Sequence, residues 1–237
     1  MITLLAPPGS LVAGASVSLD ATEAHHLRVR RGEAGDRLRL VDGRGHVGYG
    51  TVTLGNHGAH VTLDRVEEAP LPPRLVLAVG AGEKERFAWL AEKATELGVT
   101  DLVPIECDRT VSVASRVRDG AIERIQRRAE EALKQCGGAW APRIHLPTPL
   151  ERFVTEAPAG RRWVLDREGR DPPVQMGDDA VTCLVGPEGG FTPEEVAACE
   201  RAGFERISLG QLVLRFETAA LAAASWVGIT RGRRLDG

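Results

Sequence analysis

From residue 74 onward, short apolar runs alternate with segments of helical period. That alternation constrains the fold more than any other feature, because it is the pattern of strands and helices wound into one layered sheet. Leu75-Val76-Leu77-Ala78-Val79 reads as a buried strand, and the helix expected over 83–97 carries apolar Phe87, Leu90, Ala91, Ala94 and Leu97 before the stop at Gly98. Leu102-Val103-Pro104-Ile105 is the next strand, its proline suggesting an edge, and 119–136 the next helix, with Ile122, Ile125, Ala129 and Leu133 inward. Trp163-Val164-Leu165, Val181-Thr182-Cys183-Leu184-Val185 and Arg206-Ile207-Ser208-Leu209 are further strands. Thr192-Pro193-Glu194-Glu195 opens a helix with an N-cap, a proline at the first position and a capping box. A last helix runs from about 217 to 230. The expected class is α/β, a mostly parallel sheet covered by helices.

Residues 1–69 have a different rhythm. Short runs such as Val17-Ser18-Leu19, Arg37–Val41, Gly48–Leu54 and His60–Leu63 are separated by glycine-bearing turns at 42–45 and 55–58. Frequent turns between short strands predict a small β-barrel. The prolines Pro70, Pro72 and Pro73 break regular pairing, so 70–73 reads as a linker and 74–237 as a second domain.

Composition excludes several classes. The longest apolar stretch, Ala219–Val227, is about half the ~20 residues a membrane span needs. The N-terminus shows no basic segment followed by an apolar one, so a cytosolic location is expected. Cys107, Cys136, Cys183 and Cys199 form no C-x-x-C pair, which argues for reduced thiols and against a metal site. His25 and His26, read as strand neighbours, would point to opposite faces and suit no common metal ion. With a formal net charge of −3 the chain is no polycation. Six arginines between Arg28 and Arg44, set against three carboxylates, form its densest basic cluster, either a solvated face or an RNA-backbone contact.

Two loops follow strands in the second domain. Gly186-Pro187-Glu188-Gly189-Gly190-Phe191 lacks the G-x-G-x-x-G spacing of a dinucleotide site and the lysine of a phosphate loop. Alone it is equally a tight turn or a backbone-lined pocket. The second loop, Leu209–Ala219, adds an apolar wall at Leu212, Val213 and Leu214, with Arg215 and Glu217 at a helix start. Apolar walls and a few backbone hydrogen bonds are what an adenine ring needs.

These stretches, with others upstream, carry a resemblance. His25-His26-Leu27 with Val29, Arg31, Gly35 and Asp36; Lys93-Ala94-Thr95-Glu96-Leu97-Gly98 with Pro104; Glu131-Ala132 with Gln135-Cys136-Gly137; Leu184–Phe191; and Leu209–Ala219 lie in the order of the motifs of one family. The chain resembles the ribosomal RNA small-subunit methyltransferase E family, a branch of the SPOUT class of S-adenosylmethionine-dependent methyltransferases. The chain departs from its pattern in places: Leu212 and Gly138 stand where arginines are usual, Arg30 replaces an apolar residue, and Met1-Ile2-Thr3-Leu4 lacks the usual early basic and aromatic residues.

The resemblance implies a PUA-like barrel ahead of a parallel sheet with a deep trefoil knot, a homodimer, and methylation of uridine N3 in 16S rRNA of the small subunit. It implies S-adenosyl-L-methionine as cofactor, with no metal and no membrane. Carried onto this sequence, the cofactor residues are Leu184, Gly186, Pro187, Glu188, Gly189, Gly190, Leu209, Gly210, Leu212, Leu214 and Thr218. Arg215 and Glu217 become the catalytic candidates. Arg215 could favour a uracil anion or hold a phosphate, and Glu217 could orient Arg215 or accept a proton. Arg28, Arg30 and Arg31 are the RNA candidates. A ribose 2′-O methyltransferase of the same class is the runner-up, and a non-catalytic RNA-binding protein of this fold is the reading the two lost arginines favour.

Overall fold

The computed structural model describes residues 1–55, 58–80, 84–110 and 119–232. The expected helix start at Glu83 and the turn residues Asn56 and His57 lie outside them. The chain divides into two compact units. One comprises Met1–Pro72 with Glu130–Ala141, the other Pro73–Ala129 with Pro142–Gly237. The sequence division near 70–73 does not separate out 130–141, because a helix that crosses a unit boundary leaves no break in its own periodicity.

In the first unit, β1 (Ile2–Leu5), β2 (Ser16–Ser18), α1 (Ala21–Val29), β3 (Arg37–Val41), β4 (His46–Gly55) and β5 (Gly58–Glu68) follow in order. The sheet runs β1-β3-β4-β5-β2, with β1 parallel to β3 and the other pairs antiparallel. Leu4, Leu38, Leu40, Val61 and Leu63 are buried within it. Alternation along β3 puts Leu38 and Leu40 in the core and leaves Arg37 at the surface.

The strand expected through His25 and His26 is instead helix. Asp20 caps α1 by accepting from the Glu23 N–H at 2.8 Å, and Glu23 and Leu27 are its buried positions. A nine-residue helix with so few apolar side chains carries little periodic signal, and the local mark it does leave is the Asp20 cap.

The second unit contains β6 (Leu75–Val79), α2 (Lys84–Glu96), β7 (Asp101–Glu106), α3 (Asp119–Cys136, whose end from Glu130 clusters with the first unit), β8 (Arg143–Ile144), β9 (Thr148–Pro149), α4 (Leu150–Glu156), β10 (Arg161–Arg170), β11 (Val181–Val185), α5 (Pro193–Arg201), β12 (Glu205–Ile207) and α6 (Phe216–Gly232). Among the described residues its sheet runs β12-β10-β11-β6-β7-β8, with β9 also on β7, and every pair is parallel.

Both faces of this sheet are covered, as a parallel sheet requires. On one face Leu75, Leu77, Val79, Trp163 and Cys183 pack with Phe87 and Leu90 of α2 and with Ala220, Ala223 and Val227 of α6. On the other, Val76, Ala78, Val164 and Leu184 pack with Phe153 of α4 and Cys199 of α5. β7 is not a plain edge strand: β8 pairs at Asp101-Leu102 and β9 at Ile105-Glu106, leaving a gap beside Pro104. The missing proline N–H therefore interrupts no ladder on that side.

Candidate cofactor cleft

Three strands, β10, β11 and β12, are neighbours in the sheet, and β11 and β12 end on either side of β10 at the level of Leu165, where the register of β10 with β12 shifts. Ligands of parallel sheets bind beyond the carboxyl ends of strands. A cleft of about 250 Å³ opens there, walled by Leu165, Asp166 and Arg167 within β10, by Val185 at the end of β11 with Gly186 to Glu188, Gly190 and Phe191 after it, and by Leu209, Gly210 and Leu212 to Leu214 after β12. Val196, Ile207, Phe216 and Ala219 complete it.

The loop after β11 is shaped by close backbone approach. The Gly80 N–H donates to the Val185 carbonyl at 2.8 Å, and a Cβ on Gly80 would stand 2.7 Å from Pro187 Cδ. Gly190 turns the chain with φ +68°, and its N–H donates to the Pro187 carbonyl at 2.8 Å. Arg109 donates to the Gly189 carbonyl and, at 3.5 Å, to that of Phe191. The expected capping box is present: the Glu195 N–H donates to Thr192 Oγ1 at 3.2 Å and Glu195 Oε2 accepts from the Thr192 N–H at 2.8 Å. Glu195 Oε1 also accepts from the Asp108 N–H at 2.8 Å, tying this loop to the one after β7.

The loop after β12 is more open. Ser208 Oγ donates to the Gly210 carbonyl at 3.2 Å, and Gly210 adopts φ +127°. Leu212 and Val213 are each 80% exposed. The backbone N–H groups of Leu212, Val213 and Leu214 have no partner among the described residues. Apolar side chains beside unpaired backbone donors fit the face and edge of a heteroaromatic ring, and the walls lack the cluster of cations a polyphosphate would need.

Of the sequence-derived cofactor residues, Gly186, Pro187, Glu188, Gly190, Leu209, Gly210, Leu212 and Leu214 line the cleft. Leu184 is wholly buried in β11 and Thr218 lies exposed on α6, neither on the wall; Gly189 packs against Arg109. Arg215 is exposed just before α6, with no side-chain partner among the described residues. Glu217 does not meet Arg215: its Oε1 lies 3.3 Å from Arg86 Nη1 of α2, and its Oε2 is buried without a hydrogen bond. The charged middle of β10, Asp166 and Arg167, joins the cleft wall without having been among the expected site residues. Its mark was the charged run Asp166-Arg167-Glu168 directly after the apolar Trp163-Val164-Leu165.

In the first unit, Arg28, Arg30 and Arg31 are exposed on α1 and its C-terminal cap, and Arg31 takes φ +57°. Ligand atoms of Glu23, His26 and Glu131 lie within 4.8 Å of one another. Among them stands the Lys134 ammonium, 2.8 Å from Glu23 Oε1, 3.1 Å from His26 Nδ1 and 2.5 Å from Glu131 Oε2. The cluster thus carries its own cation.

The fold and cleft are those of an RNA-modifying transferase. The family model for the RNA methyltransferase domain matches residues 68–228, and that for the RNA methyltransferase PUA domain matches 19–64. The ribosomal RNA small subunit methyltransferase E of Synechocystis sp. is 30% identical over 90% of this chain and 73% of its own. That of Mycobacterium bovis is 31% identical over 93% and 88%. A crystal structure of such an enzyme from Neisseria gonorrhoeae, bound to S-adenosyl methionine, superposes with TM-score 0.83 at 25% identity over 98% of both chains. The chain belongs to the ribosomal RNA small subunit methyltransferase E family.

Proposed function

We propose that this protein transfers a methyl group from S-adenosyl-L-methionine to N3 of a uridine in 16S rRNA. The observation that carries the reading is the cleft at the ends of β11 and β12, beside Leu165 to Arg167 of β10, with its apolar walls and its Leu212 to Leu214 N–H groups unpaired among the described residues. Those donors fit the edge of adenine, while Leu209, Leu214 and Phe191 fit its faces. The close approach at Gly80 and Gly186 keeps the loop backbone, rather than side chains, at the wall. The cofactor, when bound, supplies an electrophilic sulfonium methyl group and needs no metal.

The protein's own task is to position the uracil and shift its proton. Uracil N3 is protonated at neutral pH, so attack requires a base or a setting that favours the anion. Arg215, an unpaired cation beside the cleft, is placed to stabilise that anion or to hold the adjoining phosphate. Glu217, held by Arg86, fixes the start of α6 and with it the direction of Arg215. Arg28, Arg30 and Arg31 are the proposed RNA-backbone contacts. The exposed Leu212 and Val213 support a homodimer in which a second copy covers the loop. An rRNA substrate supports a cytoplasmic location.

The test is rRNA from a strain lacking the gene. It should lack one methylated uridine, and the methyl group should return on complementation. Unchanged rRNA methylation would contradict the reading.

A further inference from the structure

Residues 107–110, directly after β7, form a turn stiffened from within. Thr110 is 1% exposed, and its Oγ1 accepts from the Cys107 N–H at 2.8 Å and donates to the Cys107 carbonyl at 3.0 Å. The Thr110 N–H donates to the same carbonyl at 2.8 Å. Cys107 itself is anchored in the core with Val103 and Ile105. In sheet order β6 lies between β7 and β11, so this turn meets the loop after β11 across the end of β6.

Two consecutive residues of the turn make the connection. The Asp108 N–H donates to Glu195 Oε1 at 2.8 Å, while Glu195 Oε2 accepts from the Thr192 N–H. The Arg109 guanidinium bridges the carbonyls of Gly189 and Phe191. Its aliphatic stem lies over Gly189, where an added Cβ would stand 3.0 Å from Arg109 Cδ.

These contacts sort the polar groups of the loop. The Pro187 carbonyl is taken by the Gly190 N–H, and the Gly189 and Phe191 carbonyls by Arg109. The N–H groups of Glu188, Gly189 and Phe191 have no partner among the described residues. Glu188 and Phe191 line the cleft, and Arg109 does not. A cation that occupies carbonyls leaves donors as the free groups, which suits the ring nitrogens and hydroxyls of an adenosyl ligand. Gly189-Gly190 has too much backbone freedom to fix that shape by itself.

We propose that Arg109 is a positioning residue for the methyl transfer, holding the Gly189-Gly190 loop in its cofactor-binding shape from outside the cleft. The proposal rests on the adenosyl reading of the cleft. The effect is expressed in affinity, because a loop that is not held must be ordered at the moment of binding.

Calorimetry with S-adenosylhomocysteine on the full chain is the primary measurement. Arg109→Ala should bind it about tenfold more weakly than the wild type, the scale of one charged hydrogen bond. Arg109→Lys, whose ammonium lacks the fork that spans two carbonyls, should recover part of that loss. Millimolar guanidinium ion should restore affinity in Arg109→Ala and leave the wild type unchanged, a rescue that a general loss of structure would not permit. In methylation assays Arg109→Ala should raise KM for S-adenosylmethionine, with KM for rRNA unchanged and kcat recovered at saturating cofactor. Arg109 is exposed, so the urea midpoint should stay at the wild-type value. Unchanged S-adenosylhomocysteine affinity in Arg109→Ala, or a rise in KM for rRNA alone, would overturn the proposal and leave the adenosyl cleft standing; the second result would make Arg109 an RNA contact. An affinity loss that guanidinium does not relieve, accompanied by a lower urea midpoint, would overturn it in favour of a structural role. A wild-type protein that binds no S-adenosylhomocysteine would remove the adenosyl reading and this proposal with it.

Discussion

Glu217 of α6 takes Arg86 of α2 as its partner, Oε1 to Nη1 at 3.3 Å, across two helices that pack together on one face of the parallel sheet. The carboxylate side chain is only 12% exposed, and its Oε2 is buried with no hydrogen bond. Removing Arg86 leaves a largely desolvated carboxylate without its cation, a situation that is costly in proteins. Arg86→Ala and Glu217→Ala should therefore be non-additive, with a coupling of about 1 kcal/mol or more in a double-mutant denaturation cycle. Single-turnover methylation should fall in both single variants, since each releases the start of α6. Additive losses would mean the two residues act separately. If Arg215→Ala leaves the single-turnover rate unchanged, Arg215 has no part in the chemistry.

Gly80 has no chemistry of its own, yet the cleft depends on it. A methyl group there would meet Pro187 Cδ at 2.7 Å and Pro187 N at 2.8 Å, a backbone collision that only a shift of the loop relieves. Gly80→Ala should weaken S-adenosylhomocysteine binding at least tenfold, while the free energy of unfolding falls by no more than a typical point mutation costs, about 1 kcal/mol. Calorimetry and urea denaturation on the same preparation check both halves.

Asp101 gives the second unit a defined pH response. Burial pushes its carboxyl up, but His145 Nε2 at 2.8 Å, Thr100 Oγ1 at 2.9 Å and Arg74 Nε at 3.2 Å outweigh it and bring the pKa down to about 2. A carboxyl depressed in the folded state stabilises it above the unfolded pKa, and that stability is lost as pH falls through the folded value. The contribution, roughly 2 kcal/mol, should be present from about pH 5 upward and fade between about pH 4 and pH 2. Asp101→Asn should be less stable than wild type at pH 7, and urea denaturation should show the gap closing toward pH 2. A gap that stays constant with pH would assign the effect to packing.

Lys134 holds the charge balance of the first unit. Its side chain is 6% exposed and that of Glu23 5%, and Glu23 Oε2 also accepts from the Leu5 N–H at 3.1 Å. Lys134→Met strands a buried carboxylate and should cost about 3 kcal/mol. Adding Glu23→Gln should recover part of that loss in a denaturation series. Soaking the wild-type protein with zinc should not raise its unfolding temperature, since Lys134 already occupies the space between the ligand atoms.

Periodicity made the second unit readable: parallel strands buried on both faces give continuous apolar runs, and β6 and β11 show them plainly. The capping box at Thr192 fixed the start of α5 to the residue. β8 and β9, two residues each, are set by pairing to β7 and leave no local pattern. α1 was hidden for a related reason, its few buried side chains being too sparse to mark a face. In the cleft, the glycine loops were legible because their backbone demands act within a few residues. The Asp166-Arg167 wall and the Arg86 partner of Glu217 were not, because each acquires its role only from strands and helices distant in sequence.

The central claim is the transfer of a methyl group to a uracil base, and one measurement addresses it directly. Purified protein is incubated with S-adenosylmethionine carrying an isotopically labelled methyl group and with 16S rRNA or small subunits from the deletion strain. The RNA is then digested and analysed by mass spectrometry. The predicted result is label in a single N3-methyluridine, retained on the base after the ribose is removed. Label on a ribose, or no incorporation by a protein that binds the cofactor, would contradict it.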